Sequence, residues 1–245
     1  VACLATWSAA PGFRRTRWLR RTPKMMLPEN ERLRLASLRE SLQSATESFL
    51  GYPVSKDFAV TELHDFLQFP LNNLGDPFVE STFAVSTREF EREVVSFVAG
   101  QLRATINDIW GYVTNGGTEG NLYGLYLARE LLPQGIVYFS EDTHYSVAKN
   151  IHFLGLRSIT IRSQPNGEID YEDLRETLRI HRDRPAIIFA NIGTTMTEAR
   201  DDIRTIKEIL RQLVIRDCYI HSDAALCGGF APFLEPRPAF DFADG

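Results

Sequence analysis

"AIIFANIGTTMTEARDDIRTIKEILRQLVIRDCYIHSDAA", residues 186–225, joins two short apolar runs through a helical stretch. "AIIFANIG" (186–193) is almost continuously apolar, as is the first half of "DCYIHSDAA" (217–225), while "DDIRTIKEILRQLVI" between them spaces its apolar residues as a helix does. Runs that are not alternately polar predict strands buried on both faces, and a helix between two of them predicts a parallel crossover. The pattern extends upstream through "GIVYFS" (135–140), "SITIRS" (158–163) and the helix-like "YEDLRETLRIHR". The expected fold class is therefore α/β, with a mostly parallel sheet sandwiched by helices. Ligands of such sheets gather beyond the carboxyl ends of the strands.

Nearer the N-terminus the readings are helical. "PENERLRLASLRESLQSATESFL" places Leu35, Leu38, Leu42 and Phe49 on one face, and "STREFEREVVSFVAGQL" is expected to turn Phe90, Val94, Phe97 and Val98 inward. Between them "LNNLGDPF" (71–78) is dense in turn residues. These readings divide the chain into a basic leader (1–26), disordered or non-native, a helical and loop segment (27–85), and an α/β part (86–245), which the family resemblance given below implies is a partial cofactor-binding large domain. No internal repeat or low-complexity tract interrupts it.

The 245 residues carry 27 basic and 32 acidic side chains. Six of the basic ones, Arg14, Arg15, Arg17, Arg20, Arg21 and Lys24, precede the first acidic residue, Glu29, which leaves 21 against 32 in an acidic body. An acidic body argues against nucleic acid as a partner. No apolar run reaches membrane-spanning length, so no membrane partner is expected either. The leader's charges follow its apolar residues, the reverse of a secretory signal, and an Arg-rich transit peptide is the other reading. Three cysteines are too few for a disulfide framework, and the expected location is cytoplasmic.

"GYVTNGGTEGNLYGLYLARE" (111–130) runs through paired glycines into an amphipathic helix. Bare backbone amides at a helix N-terminus suit an anion, and a phosphate above all, although paired glycines also serve ordinary turns. Trp110 to Thr114 is expected to lead in as an extended segment, with Thr118 as N-cap. The carboxyl ends of the other strands would add His144, Thr194, Thr195 and Asp223 to the same rim. Singly, a histidine or aspartate there is more often a loop or cap residue; together they suit one molecule. Pyridoxal 5′-phosphate needs an amide cradle for its phosphate, a carboxylate for its protonated ring nitrogen and a planar group against its ring. Ala225 is small enough to close the ring's other face.

The blocks "WGYVTNGGTEGN", "EDTHYSVAKN", "SQPNGEIDYEDL", "NIGTTMTEARDDI", "HSDAAL" and "FADG" closely resemble the bacterial pyridoxal-phosphate-dependent histidine decarboxylases. These belong to the group II amino-acid decarboxylases, with the aspartate-aminotransferase-like fold, that of the PLP-dependent transferase fold type I large domain. The resemblance runs from about "GYPVSKDF" to the last residue. It implies that Gly116, Gly117 and Thr118 hold the phosphate, that Thr195 lies near the cofactor, and that His144 stacks on the ring and contacts substrate. It implies further that Asp223 pairs with the pyridinium nitrogen, that Tyr52 contacts substrate, and that the enzyme is a homodimer acting on a small molecule, an amino acid.

Relatives continue past "FADG" into a Ser-Gly-His-Lys segment whose lysine forms the Schiff base. The chain reaches Gly245 before that segment, so a C-terminally truncated fold is expected, inactive by itself. The substrate expected is L-histidine, with histamine as product. Serine decarboxylases of the same family, and a non-catalytic fragment, are the alternatives. Two rivals stand further off: a nucleotide-binding oxidoreductase using Gly116, Gly117 and Gly120, and a metal site from Cys218, His221, Asp223 and Cys227. Where many relatives have glycine this chain has Glu198, which predicts a strained positive φ there.

Overall fold

The structure is a computed structural model; it describes residues 27–50, 59–105, 107 and 109–244. They fall into two compact units that divide between Ala59 and Val60. In the first, helix α1 (Glu29–Glu47) contains no buried residue. Leu35, Leu38 and Leu42 line one shallow groove on it, as their spacing predicts, whereas Phe49 falls beyond the helix end.

The second unit begins with a 3₁₀ turn (Thr61–Gln68) and helix α2 (Arg88–Gln101). The apolar stripe of α2 does not turn inward as expected: Phe90 is 68% and Phe97 66% exposed, with Val94 and Val98 also open. Periodicity reveals that a stripe exists, not what covers it. What the helix buries instead is Arg88, whose guanidinium reaches the carbonyls of Leu74 and Val79, while Arg92 reaches that of Pro77. Asn73 accepts the Thr87 amide at the start of α2. The turn-rich segment is thereby bound to the helix.

The remaining elements alternate. They are α3 (Gly117–Leu131), β1 (Ile136–Ser140), α4 (Ser146–Leu154), β2 (Arg157–Ile161), α5 (Tyr171–Ile180), β3 (Ala186–Asn191), α6 (Ile203–Gln212) and β4 (Cys218–Asp223). The strands form one sheet in the order β2-β1-β3-β4, every pair parallel. Both faces are covered. Ile136, Tyr138, Ile188 and Ala190 pack with Leu174 and Leu178 of α5 and Ile203, Ile206 and Ile209 of α6. Val137, Ile187 and Phe189 pack with Leu125 and Ala128 of α3 and Val147 and Ile151 of α4. Strands buried on both sides need apolar residues at successive positions, which is why these runs do not alternate. Ile188 and Phe189 are wholly buried, and burying each such side chain contributes about 1.5–3 kcal/mol.

Local sequence sets the helix starts. Asp170 accepts the amides of Glu172 and Asp173, and Asp202 those of Arg204 and Thr205, so each aspartate caps the helix that follows. The extended segment expected at Trp110 to Thr114 joins no strand. Its polar groups go elsewhere: the Trp110 indole N–H donates to Asp76 at 2.9 Å and the Val113 amide to Glu91 at 3.0 Å. Its aromatic rings pack on α3, Trp110 stacking on Tyr123 with centroids 5.4 Å apart. Among the described residues β4 is an edge strand, and a groove of about 820 Å³ runs beside it, lined in part by Tyr219, Ile220, Phe240 and Phe242.

Candidate functional site

The glycine turn opens α3. Gly116 has φ 138° and ψ 170°, a conformation essentially reserved for glycine, and no atom lies within 4 Å of where a β-carbon would stand. Gly116 is the N-cap; the expected cap, Thr118, lies one residue inside the helix. Its role as cap falls to glycine because the backbone itself must open at this point. Glu119 completes the start from within, accepting the Asn115 amide at 2.8 Å and the Tyr112 hydroxyl at 3.0 Å. Burial and that carboxylate push the Tyr112 pKa up to about 12. The Glu119 amide donates to the Gly116 carbonyl at 3.1 Å, whereas amides ahead of it have no acceptor inside the helix, and Gly116, Gly117 and Thr118 are all exposed.

This turn abuts the end of β4. A β-carbon at Gly117 would come within 2.8 Å of the Ala225 methyl, and one at Gly124 would collide with the His221 imidazole. Gly117, Asn121, Gly124 and Ala128 recur at helical spacing, and that small-residue face lets α3 lie close on the sheet. Asp223 ends β4. One of its oxygens accepts the Asn121 side-chain amide at 2.8 Å and the other the Ala225 backbone amide at 3.1 Å. Asn121 in turn meets His221 Nε2 at 2.9 Å. Burial pushes the His221 pKa down to about 4, against the pull of the Asp223 carboxylate.

His144 precedes α4 and is half-buried. The Ser146 amide points at its Nδ1 at 3.3 Å, and the Ser146 hydroxyl lies 2.8 Å from the same nitrogen. Nδ1 therefore accepts, which in the neutral ring leaves the hydrogen on Nε2. A chain of contacts links this loop to Asp223: Thr143 Oγ1 lies 3.1 Å from Asn191 Nδ2, and Asn191 stands opposite Asp223 in the ladder. Asn150 of α4 donates to the Thr118 carbonyl at 3.0 Å, tying α4 to the first turn of α3.

Thr194 is buried and committed to its own turn, bonded to Thr197 and to the Ala199 amide, while Thr195 beside it is exposed. Glu198 has the expected positive φ, 53°. Behind the rim Asp201 takes the backbone amides of Ile169 and Asn191, each at 2.7 Å, and burial raises its pKa to about 6. Tyr52 lies outside the described residues. Of the four residues in the metal alternative, Cys218 is exposed at the start of β4 and Cys227 is buried under Gly193. Among the described residues no three His, Cys, Asp or Glu side chains cluster for a metal. Asn121, Ser146 and Asp201 were not singled out from sequence, and His221 only as a member of the metal alternative; for Asn121 the signal was its place between Gly117 and Gly124.

Residues 117–241 match the pyridoxal-dependent decarboxylase conserved domain. The chain belongs to that family. A histidine decarboxylase of Mesorhizobium japonicum is 53% identical over 90% of this chain and 60% of its own length, and one of Pseudomonas fluorescens is 49% identical over 80% and 49%. This chain thus spans about half to three fifths of these decarboxylases. The L-methionine decarboxylase of Streptomyces sp. 590, solved with 3-methylthiopropylamine, superposes with a TM-score of 0.80 at 26% identity, covering 90% of this chain and 62% of that one. The fold is the type I fold of pyridoxal-phosphate-dependent decarboxylases, and pyridoxal 5′-phosphate is the decarboxylase family's cofactor.

Proposed function

We propose that this chain contributes the cofactor-binding half of an amino-acid decarboxylase that converts L-histidine to histamine, working as a homodimer in the cytoplasm. The observation that carries the proposal is the contact of Gly117 with Ala225, which brings the open glycine turn to the carboxylate that ends β4. The residues suit pyridoxal phosphate by their chemistry: open amides for a dianion and a carboxylate for a cationic ring nitrogen. The 53% identity to a named histidine decarboxylase favours histidine over serine as substrate.

In this reading the first-turn amides of α3 at Gly116, Gly117 and Thr118 bind the phosphate, with Thr195 beside it. His144 lies against the ring and, with Tyr52, holds the substrate. Asp223 keeps a proton on the ring nitrogen, and the Ala225 methyl bounds the other face. When bound, pyridoxal phosphate would supply an electron sink for the bond that breaks at the substrate's Cα. Asp223 strengthens that withdrawal by favouring the charged ring, so its contribution belongs to the transition state more than to binding. Of the described lysines, Lys149 lies over the Tyr145 ring and Lys207 near Cys218, at the far end of β4 from Asp223. Neither is assigned the Schiff base.

The exposed stripe of α2, Phe90, Val94, Phe97 and Val98, is the surface this unit leaves for a second subunit to cover. The activity test uses the full-length protein, supplied with pyridoxal phosphate and offered L-histidine, L-serine or L-methionine. Carbon dioxide and histamine from L-histidine are expected, with Asp223→Ala lowering kcat far more than cofactor affinity. Preference for serine would move the assignment to the serine enzymes, and no cofactor-dependent decarboxylation of any amino acid would overturn it.

A further inference from the structure

Asp223 is held from behind by groups that carry no formal charge. The Asn121 amide donates to one carboxylate oxygen at 2.8 Å, so its own oxygen must face His221 Nε2, 2.9 Å away. A carboxylate only accepts, which settles which end of the amide points where, and the imidazole must then donate from Nε2. The imidazole itself has little freedom. Its ring packs on Phe189 with centroids 4.8 Å apart, and Gly124 occupies the position where any β-carbon would strike it. The sequence of bonds is thus imidazole N–H to amide oxygen, then amide N–H to carboxylate, and each donor polarises the next.

We propose that His221 and Asn121 are positioning residues, a neutral hydrogen-bond relay that aims the Asp223 carboxylate at the cofactor's ring nitrogen and preserves its negative charge for that nitrogen. The proposal rests on the pyridoxal reading of the site. A cation in the place of His221 or Asn121 would share the carboxylate's charge and weaken its hold on a ring proton; two neutral donors stabilise the ionised carboxylate and leave that charge available. Burial of the imidazole favours its neutral form, against the pull of the Asp223 carboxylate.

The test uses the 245-residue chain with pyridoxamine 5′-phosphate labelled with nitrogen-15 in its ring, a probe that needs no lysine. Side-chain nitrogen NMR of the free protein should show His221 as the Nε2–H tautomer, uncharged well below the pH at which an ordinary histidine titrates. For the bound probe, Asn121→Leu and His221→Phe should each lower the ring nitrogen's protonation midpoint by about one pH unit, a tenfold loss, since a carboxylate no longer held in position makes a poorer bond to that nitrogen. Asp223→Ala should lower it further. If the probe binds and responds to Asp223 but not to Asn121 or His221, the relay is wrong while the cofactor site stands. A His221 found as the Nδ1–H tautomer also overturns the relay, even if either variant fails to fold. No binding of the probe to the wild-type chain, or binding indifferent to Asp223, overturns the pyridoxal reading and the relay with it.

Discussion

Asp201→Asn tests how the rim behind the site is held. Asp201 is 2% exposed, and its two oxygens face two backbone donors, the Ile169 amide on one side and the Asn191 amide on the other. A carboxylate accepts both. A side-chain amide accepts one and must set its NH₂ against the other, and a buried donor left unsatisfied costs about 1–3 kcal/mol. The pH dependence separates this account from general damage. Burial raises the Asp201 pKa from the ordinary 3.8 to about 6, so the folded state binds this proton more tightly than the unfolded chain. The resulting stability is fully present below the unfolded pKa and is lost as pH rises through the folded one. Between about pH 5 and about pH 7.5 this group alone removes roughly 1.3 kcal/mol from the wild type and nothing from the asparagine variant. Urea unfolding followed by circular dichroism should therefore find the variant's deficit larger near pH 5 than near pH 7.5 by about 1 kcal/mol. Taking the difference between the two proteins at each pH cancels other titrations. Among these is His221, whose lowered pKa acts in the opposite sense and costs stability as pH falls. A deficit equal at the two values, or smaller near pH 5, would refute the argument.

Three further substitutions test local features. Gly116→Ala forces a β-carbon onto φ 138°, which should cost about 1–3 kcal/mol and weaken pyridoxamine phosphate binding in equilibrium dialysis; unchanged melting and affinity would contradict the strained cradle. Glu198→Gly relieves the positive φ of 53° and should raise the melting temperature by about 2–4 °C, as relief of roughly 1 kcal/mol does in a chain of this size, whereas a level or lower value counts against it. Tyr138→Phe removes a buried hydroxyl with no partner among the described residues and should leave stability level or raise it by up to about 1 kcal/mol; a clear loss would mean that the hydroxyl is bonded.

The parts of the fold legible in sequence were those set by neighbours along the chain. β1 through β4 lie within the runs that predicted them to within a residue or two; β1 and β3 are buried on both faces and so are apolar at consecutive positions, whereas the flanking β2 and β4 are partly exposed. Asp170 and Asp202 cap helices that begin one residue later, a signal complete within four residues of sequence. The glycine turn and the aspartate ending β4 were legible for the same reason, but the turn follows no strand, and it is the packing of α3 on β4 that brings it to that strand's carboxyl end.

Where a side chain finds its partner far along the chain, the sequence was silent or misleading. The stripe on α2 is real, yet it faces outward in this unit, since spacing fixes a face but carries no information about what lies over it. Asn121 and His221 are 100 residues apart in sequence and 2.9 Å apart in space, and that meeting depends on α3 lying against β4 through Gly117 and Gly124. Asp201 became a buried acceptor only when the β3 end and the Ile169 turn brought two amides to it. Composition and local pattern determined that this is an α/β protein with an open glycine turn ahead of a helix and a carboxylate at the end of a strand run. Tertiary packing alone decided which neutral groups stand behind that carboxylate, because hydrogen-bond partners are chosen by distance in space and not by order in the chain.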